Sequence, residues 1–239
     1  MPLSGQTVLL TGASMGIGEA IAKALAKEGA NLILLSRSED KLAKLKDALV
    51  QQYPNIKVTY RAADIGNHEE VDAAIASSIQ ELGSIDILIN NASPAGLALG
   101  APNIFHNLKI NDIQTMISTN VNGPMYTTHS VLNRSMIARS SGTILNITSV
   151  TGLEVPPFPG EAVYHSNKAA QEAFTNALRN ELVGTNIKVL ALRPGVMYEG
   201  FFEGYEPLVS EDIAEAAVYM LNQPLNVSIK ALDVVPSGV

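Results

Sequence analysis

Apolar residues fall along the chain in short unbroken runs: Val8–Leu10, Leu32–Leu35, Ile56–Tyr60, Ile85–Ile89, Thr143–Ile147, Ile187–Leu192 and Ala231–Val235. Consecutive apolar positions, in place of strict alternation, predict strands buried on both faces, which is the habit of parallel sheets. Between these runs the period changes. Ile17, Ile21, Ala24 and Leu25 share one helical stripe, as do Leu42, Leu45 and Leu49, and then Val71, Ala74, Ile75 and Ile79. Gly29 and Gly83 stand where two of these helices should stop. Strand alternating with helix to the end of the chain predicts right-handed crossovers and an α/β, doubly wound parallel sheet of about seven strands with helices on both faces.

With 239 residues the chain suits a single domain, 1–239, better than two domains each with its own core. A composition of 46% hydrophobic and 16% charged residues fits a sheet covered on both sides and argues against disorder. The formal charge of −7, with no basic stripe, gives a nucleic-acid backbone nothing to hold, so no nucleic-acid partner is expected. Cysteine is absent, which excludes disulfides, thiolate nucleophiles and thiolate-held metals. No apolar stretch is long enough to span a bilayer and no export signal precedes the first run, so the expectation is a cytoplasmic protein without a membrane partner. Two Gly/Pro-rich stretches, Ser93–Pro102 and Val155–Gly160, follow strands and are candidate walls of the crevice, or simply long turns.

The first strand leads into Thr11-Gly12-Ala13-Ser14-Met15-Gly16-Ile17-Gly18. A glycine-rich turn there lets backbone N–H groups approach a pyrophosphate, while the helix N-terminus adds partial positive charge, as in Rossmann-type folds. Tight strand-to-helix turns also use glycine for steric reasons alone. The second strand ends in Leu35-Ser36-Arg37, where NAD-selective sites place an acid against the ribose 2′-hydroxyl. Here Arg37 can pair with a 2′-phosphate and Ser36 can donate to it, which favours NADP over NAD. The plainer reading makes Arg37 an exposed residue leading into a helix whose first turn holds Glu39 and Asp40.

Tyr164-His165-Ser166-Asn167-Lys168 opens a strongly helical run, and a spacing of four puts the phenol and the ammonium on one face. A nearby cation favours the phenolate and makes tyrosine usable as an acid/base at neutral pH. Chance alone supplies roughly 0.3 such pairs in a chain of this composition, so the pair gains its weight from Ser149. That residue follows the strand Ile144–Ile147 at the edge where a crevice should lie; it could hold a substrate carbonyl, or merely begin a turn.

With these residues in place, the chain resembles the short-chain dehydrogenase/reductase family over nearly its whole length. The likeness is carried by Thr11–Gly18, Asp64-Ile65, Asn90-Asn91-Ala92, Asn120, Ser149, Tyr164 with Lys168, and Pro194-Gly195, in the family's order. It implies a dehydrogenase or reductase moving hydride between NADP and a carbonyl or secondary alcohol, with Asn120, Ser149, Tyr164 and Lys168 catalytic. It implies cofactor contacts from Gly12, Ser14, Met15, Gly16, Ile17, Gly18, Ser36 and Arg37. Asp64 and Ile65 would flank the adenine, Asn91 and Ala92 would line the trough, and Pro194, Gly195 and Val196 would border it. Tyr164 and Lys168 would also touch the cofactor, with Lys168 on the nicotinamide ribose and in a proton relay with Asn120 and water. The stretch Ala30–Leu49 and the tail Pro207–Glu215 look like the NADP-dependent 3-hydroxy acid dehydrogenases, whose substrates include L-serine and L-allo-threonine. A general carbonyl reductase for bulkier ketones, and a non-catalytic NADP sensor, are the alternatives.

Departures from the family pattern are local. Ser93 stands where the family has glycine, and after Val196 the chain reads Met197-Tyr198-Glu199-Gly200 in place of a threonine and a helical lid. So short a connection suggests a segment lost after Gly195, and members of the subgroup commonly run on past the position of Val239. His68, His106, His129 and His165 show no paired spacing for a metal, so none is expected. The acids Glu69-Glu70 and Glu211-Asp212 sit at expected helix starts, where the macrodipole favours them. The apolar breadth of Ala162–Leu182 permits a helix-packed homodimer or homotetramer.

Overall fold

The computed structural model describes residues 3–94, 104–155, 159–197 and 206–237. Seven strands run β1 (Thr7–Thr11), β2 (Asn31–Ser36), β3 (Val58–Ala62), β4 (Ile87–Asn90), β5 (Ser141–Ile147), β6 (Asn186–Pro194) and β7 (Ala231–Val234). They form one parallel sheet in the order β3-β2-β1-β4-β5-β6-β7. The order reverses direction between β1 and β4, so a crevice opens at the carboxyl ends of those strands. Every expected strand is present. The third begins at Val58 instead of Ile56, and as an edge strand it leaves Tyr60 and Arg61 half-buried and Ala62 exposed. The other edge, β7, is likewise only partly covered.

Helices α1 (Gly16–Lys27), α2 (Glu39–Gln52) and α7 (Ser210–Leu221) cover one face, with Ile21, Leu25, Leu42, Leu49, Ile213 and Met220 in the core beneath them. The other face is covered by α3 (His68–Leu82), α5 (Gly123–Val131) and α6 (Ala162–Glu181), over Leu9, Ile33, Val71, Ile75, Leu88 and Ile144. Alternate residues of one strand thus feed opposite cores: Leu9 faces one, Val8 and Leu10 the other. Gly83 caps α3 at φ 85°, and Gly29 follows the last turn of α1 at φ 81°. The expected acidic pairs lie in the first turns of α3 and α7, where Asp212 accepts a bond from the Val209 N–H at 2.8 Å.

Helix α4 (Ile110–Ile117) runs into α5 through a π-turn, Ser118–Asn122, and a second π-turn, Leu132–Met136, closes α5. A buried polar ladder ties these helices to the sheet. Asn90 donates to Thr128 and Asn146, Thr127 donates to Asn90, and Asn146 donates to Thr175 of α6. Every member has a partner, so the ladder sets the register of α5 and α6 over β4 and β5 without leaving a buried group bare. No described helix is long and apolar enough to cross a membrane.

Candidate active site

The turn after β1 is built by close backbone approach. A Cβ on Gly18 would lie 2.1 Å from the Gly12 carbonyl oxygen, so the first turn of α1 must pass directly over the strand end. Thr11 Oγ1 accepts the N–H groups of Asn91 and Ala92, while Asn91 Nδ2 donates back to the Thr11 and Gly12 carbonyls. Asn91 and Ala92 are therefore first of all the brace of the turn. Gly16 opens α1 at φ 56° with nothing within 4 Å of its missing Cβ. Met15, exposed, precedes it in extended backbone, and no side chain caps the first-turn N–H groups. An open cradle of uncapped amides at a helix start fits a pyrophosphate. Ser14 and Ile17 fill out the same turn.

At the next strand end Ser36 Oγ accepts from the Ser38 N–H at 3.2 Å, and Arg37 is exposed, with no ion pair among the described residues. Asp64 follows β3 and turns the chain by accepting the Gly66 N–H, and Ile65 is buried against Gly123. Pro194 ends β6, and Gly195 donates its N–H to Val234. Val196 accepts from Leu208 through its main chain. Of the two expected pocket walls, residues 95–102 and 156–158 lie outside the described residues, as do Tyr198, Glu199 and Gly200.

Ser149 stands just past the carboxyl end of β5, where Lys168 of α6 is anchored to Ile147; Tyr164 lies beside Lys168, and Gln171 links Lys168 to the Asn120 main chain. Ser149, 6% exposed, follows the strand, donates to the Pro194 carbonyl, and accepts from the Thr151 N–H and Oγ1. A short 3₁₀ turn, Val150–Gly152, follows and presses on α6: a Cβ on Gly152 would come within 2.8 Å of the Lys168 carbonyl oxygen. His165 Nδ1 meets the Thr151 carbonyl, so this histidine holds the Ser149 turn against α6. Lys168, 2% exposed, donates to the Ile147 carbonyl at 3.1 Å and has its Nζ 5.6 Å from the centre of the Tyr164 ring. Asn120 sits in the first π-turn, fully buried, and its carbonyl accepts from Gln171 of α6. The side-chain oxygen and nitrogen of Asn120 have no partner.

Burial lowers Lys168 to about 7 from an ordinary 10.5, and Glu172 opposes that fall. Glu172, one turn on, is itself buried. It accepts from Thr148 and takes a two-pronged bond from Arg193, which also reaches Asp233. Burial also raises Glu161, at the head of α6, whose Oε1 lacks a partner. Sequence reasoning missed Gln171, Glu172, Thr151 and the pairing of Arg193. The available signal was the position of Gln171 and Glu172 on the Lys168 face of α6, of Thr151 past the end of β5, and of Arg193 in the last residues of β6. Among the described residues no group of three His, Asp or Glu side chains is placed to hold a metal ion.

A doubly wound sheet with an open amide cradle after β1 and a Ser, Tyr and Lys cluster after β5 defines a Rossmann-type oxidoreductase. The short-chain dehydrogenase family profile matches residues 6–205, and the chain belongs to that family. It is 35% identical to an uncharacterized oxidoreductase of Staphylococcus aureus strain N315, with 98% of each chain covered. Among solved structures it is similar to serine dehydrogenase from Escherichia coli, at TM-score 0.83 and 33% identity over 97% of this chain and 98% of that one. A closed serine dehydrogenase complexed with NADP+ superposes at TM-score 0.85 and 31% identity, over 97% of this chain and 95% of that one. Coverage of 98% of both chains over 239 aligned positions leaves no room in the S. aureus relative for a lid-sized insertion.

Proposed function

We propose that the protein is an NADP-dependent dehydrogenase/reductase in which Tyr164 transfers the proton that accompanies hydride transfer to or from a carbonyl. The observation that carries this is the fully buried Lys168, held at the end of β5 with its ammonium beside the Tyr164 ring. When bound, the reduced dinucleotide supplies the hydride. Ser149 Oγ donates to the substrate carbonyl oxygen in place of its bond to Pro194, and Tyr164 gives that oxygen its proton; oxidation of the alcohol runs the same steps backwards. Lys168 favours the phenolate that remains, and an anion in the trough raises Lys168 again from its lowered value. Asn120, in the π-turn, joins Lys168 and water in the proton relay that the family resemblance implies.

Support for NADP comes from Ser36 and the exposed Arg37 at the end of β2, which has no ion pair among the described residues, with no acid at the position that reads a 2′-hydroxyl. Gly12, Gly16 and Gly18 form the phosphate cradle, with Ser14, Met15 and Ile17 beside it. Asp64 and Ile65 serve the adenine side, and Asn91, Ala92, Pro194, Gly195 and Val196 the nicotinamide side. Kinship to serine dehydrogenases supports small 3-hydroxy acids, L-serine or L-allo-threonine, as substrates. Exposed Ile117 and Met125, on and beside helices that flank α6, support a homodimer or homotetramer. Assay of Tyr164→Phe tests the chemistry: turnover should fall at least about a hundredfold with an unchanged circular dichroism spectrum. Retention of wild-type turnover would end this reading.

A further inference from the structure

Gln171 lies on α6 three residues beyond Lys168, is 6% exposed, and has no place in the roles assigned above. Its amide joins two groups. Oε1 accepts from Lys168 Nζ at 3.1 Å, and Nε2 donates to the main-chain carbonyl of Asn120 at 2.5 Å. That orientation is forced, since an ammonium only donates and a carbonyl only accepts. The Asn120 carbonyl can take this bond from another helix because it lies in a π-turn, where the regular ladder is widened. Of Asn120, then, the backbone is engaged and the side chain is not.

We propose that Gln171 is a positioning residue: it fixes the Lys168 ammonium by bridging it to the Asn120 carbonyl. The inference rests on the function proposed above. Two of the three ammonium donors are spoken for, by Ile147 and Gln171, and one is left for the cleft. The Asn120 carbonyl keeps its second lone pair, so the bridge takes up one of its two acceptor positions. Among the described residues the ionised group acting on Lys168 is Glu172. Of the elements packed on α6, the Val150–Gly152 turn and the Ser118–Asn122 π-turn carry no charge, α4 carries Asp112, and β6 carries Lys188 and Arg193, the latter paired with Glu172.

Two variants separate bridging from packing. Gln171→Leu keeps the volume and loses both bonds, whereas Gln171→Ala leaves room for a water that restores both. The leucine variant should lose about tenfold or more in kcat, as expected for a bond to a charged group, with KM for NADPH unchanged. The alanine variant should recover most of kcat. In cofactor-free protein labelled with ¹³C at lysine Cε, the titration midpoint of Lys168 should fall in the leucine variant and return in the alanine one. An alanine variant weaker than the leucine one, or a midpoint indifferent to both changes, overturns the bridge. A wild type without turnover counts against the proposed function instead, and the titration then decides the bridge by itself.

Discussion

At the scale of single residues the site depends on groups that are costly where they stand. Lys168 titrates near 7 in the folded chain and near 10.5 when free, so between those values the native state holds fewer protons than the unfolded one. Stability must then rise with pH through that window, by at most about 1.4 kcal/mol per pH unit, and the full cost of the buried ammonium is present below it. Urea unfolding of wild type and Lys168→Met at pH 6, 8 and 10 should show the difference between them changing in that sense; a constant difference would mean that Lys168 is not buried. The glycines of the cradle should separate in the same way. Gly18→Ala places a methyl 2.1 Å from a carbonyl oxygen and should unfold or badly destabilise the turn. Gly16→Ala meets no atom, costs about 1–2 kcal/mol for its left-handed backbone, and should chiefly weaken dinucleotide affinity, as read by fluorescence titration. The glycine turn, Tyr164 and Lys168 were legible in the sequence because their spacing is local. Gln171 was not, since a glutamine on a helix reads as surface until the opposing π-turn supplies a carbonyl. Nor was the pairing of Glu172 with Arg193, which joins residues from different elements.

At the scale of elements, the second π-turn shows how a helix is docked on a strand end. Ser135 Oγ accepts from the Ile85 N–H at 2.7 Å and donates to the Ile85 carbonyl at 3.0 Å, all out of solvent. Arg139 adds a bond to the same carbonyl and an ion pair with Asp86. Ser135→Ala leaves the Ile85 N–H buried and bare, so it should cost about 1–3 kcal/mol, or roughly 2–4 °C in Tm per kcal/mol for a chain of this size, with kcat preserved. An unchanged Tm would show that water replaces the hydroxyl there. Strands and helix stripes were legible because interior strands carry unbroken apolar runs and covered helices carry a single stripe. The π-turns left no such trace: one extra residue in a helical turn changes the hydrogen-bond pattern without changing which residue types are favoured. Edge exposure of β3 and β7 was equally hidden, because it follows from strand order and not from strand sequence.

For the whole molecule, the sheet order places the cradle and the Ser149, Tyr164 and Lys168 cluster on one rim, so a single extended ligand can touch both halves. Binding only to the folded state stabilises it by about 2.7 kcal/mol at a hundredfold excess over Kd, roughly 5–10 °C at this chain length. NADP+ should therefore raise Tm more than NAD+ at equal concentration, and Arg37→Ala should erase the difference. Equal shifts in the wild type would remove the case for NADP. The same sheet order governs synthesis. The strand made first, β1, ends between β2 and β4, and its partner on the β4 side arrives only with Ile87–Ile89. A chain still emerging from the ribosome thus carries a bare central edge for some eighty codons, the stretch in which a chaperone has most to shield. Once Asn91 and Ala92 have left the exit tunnel the brace of the first turn is complete, well before Tyr164 is translated, so the proposed phosphate cradle is formed ahead of the proposed acid/base pair.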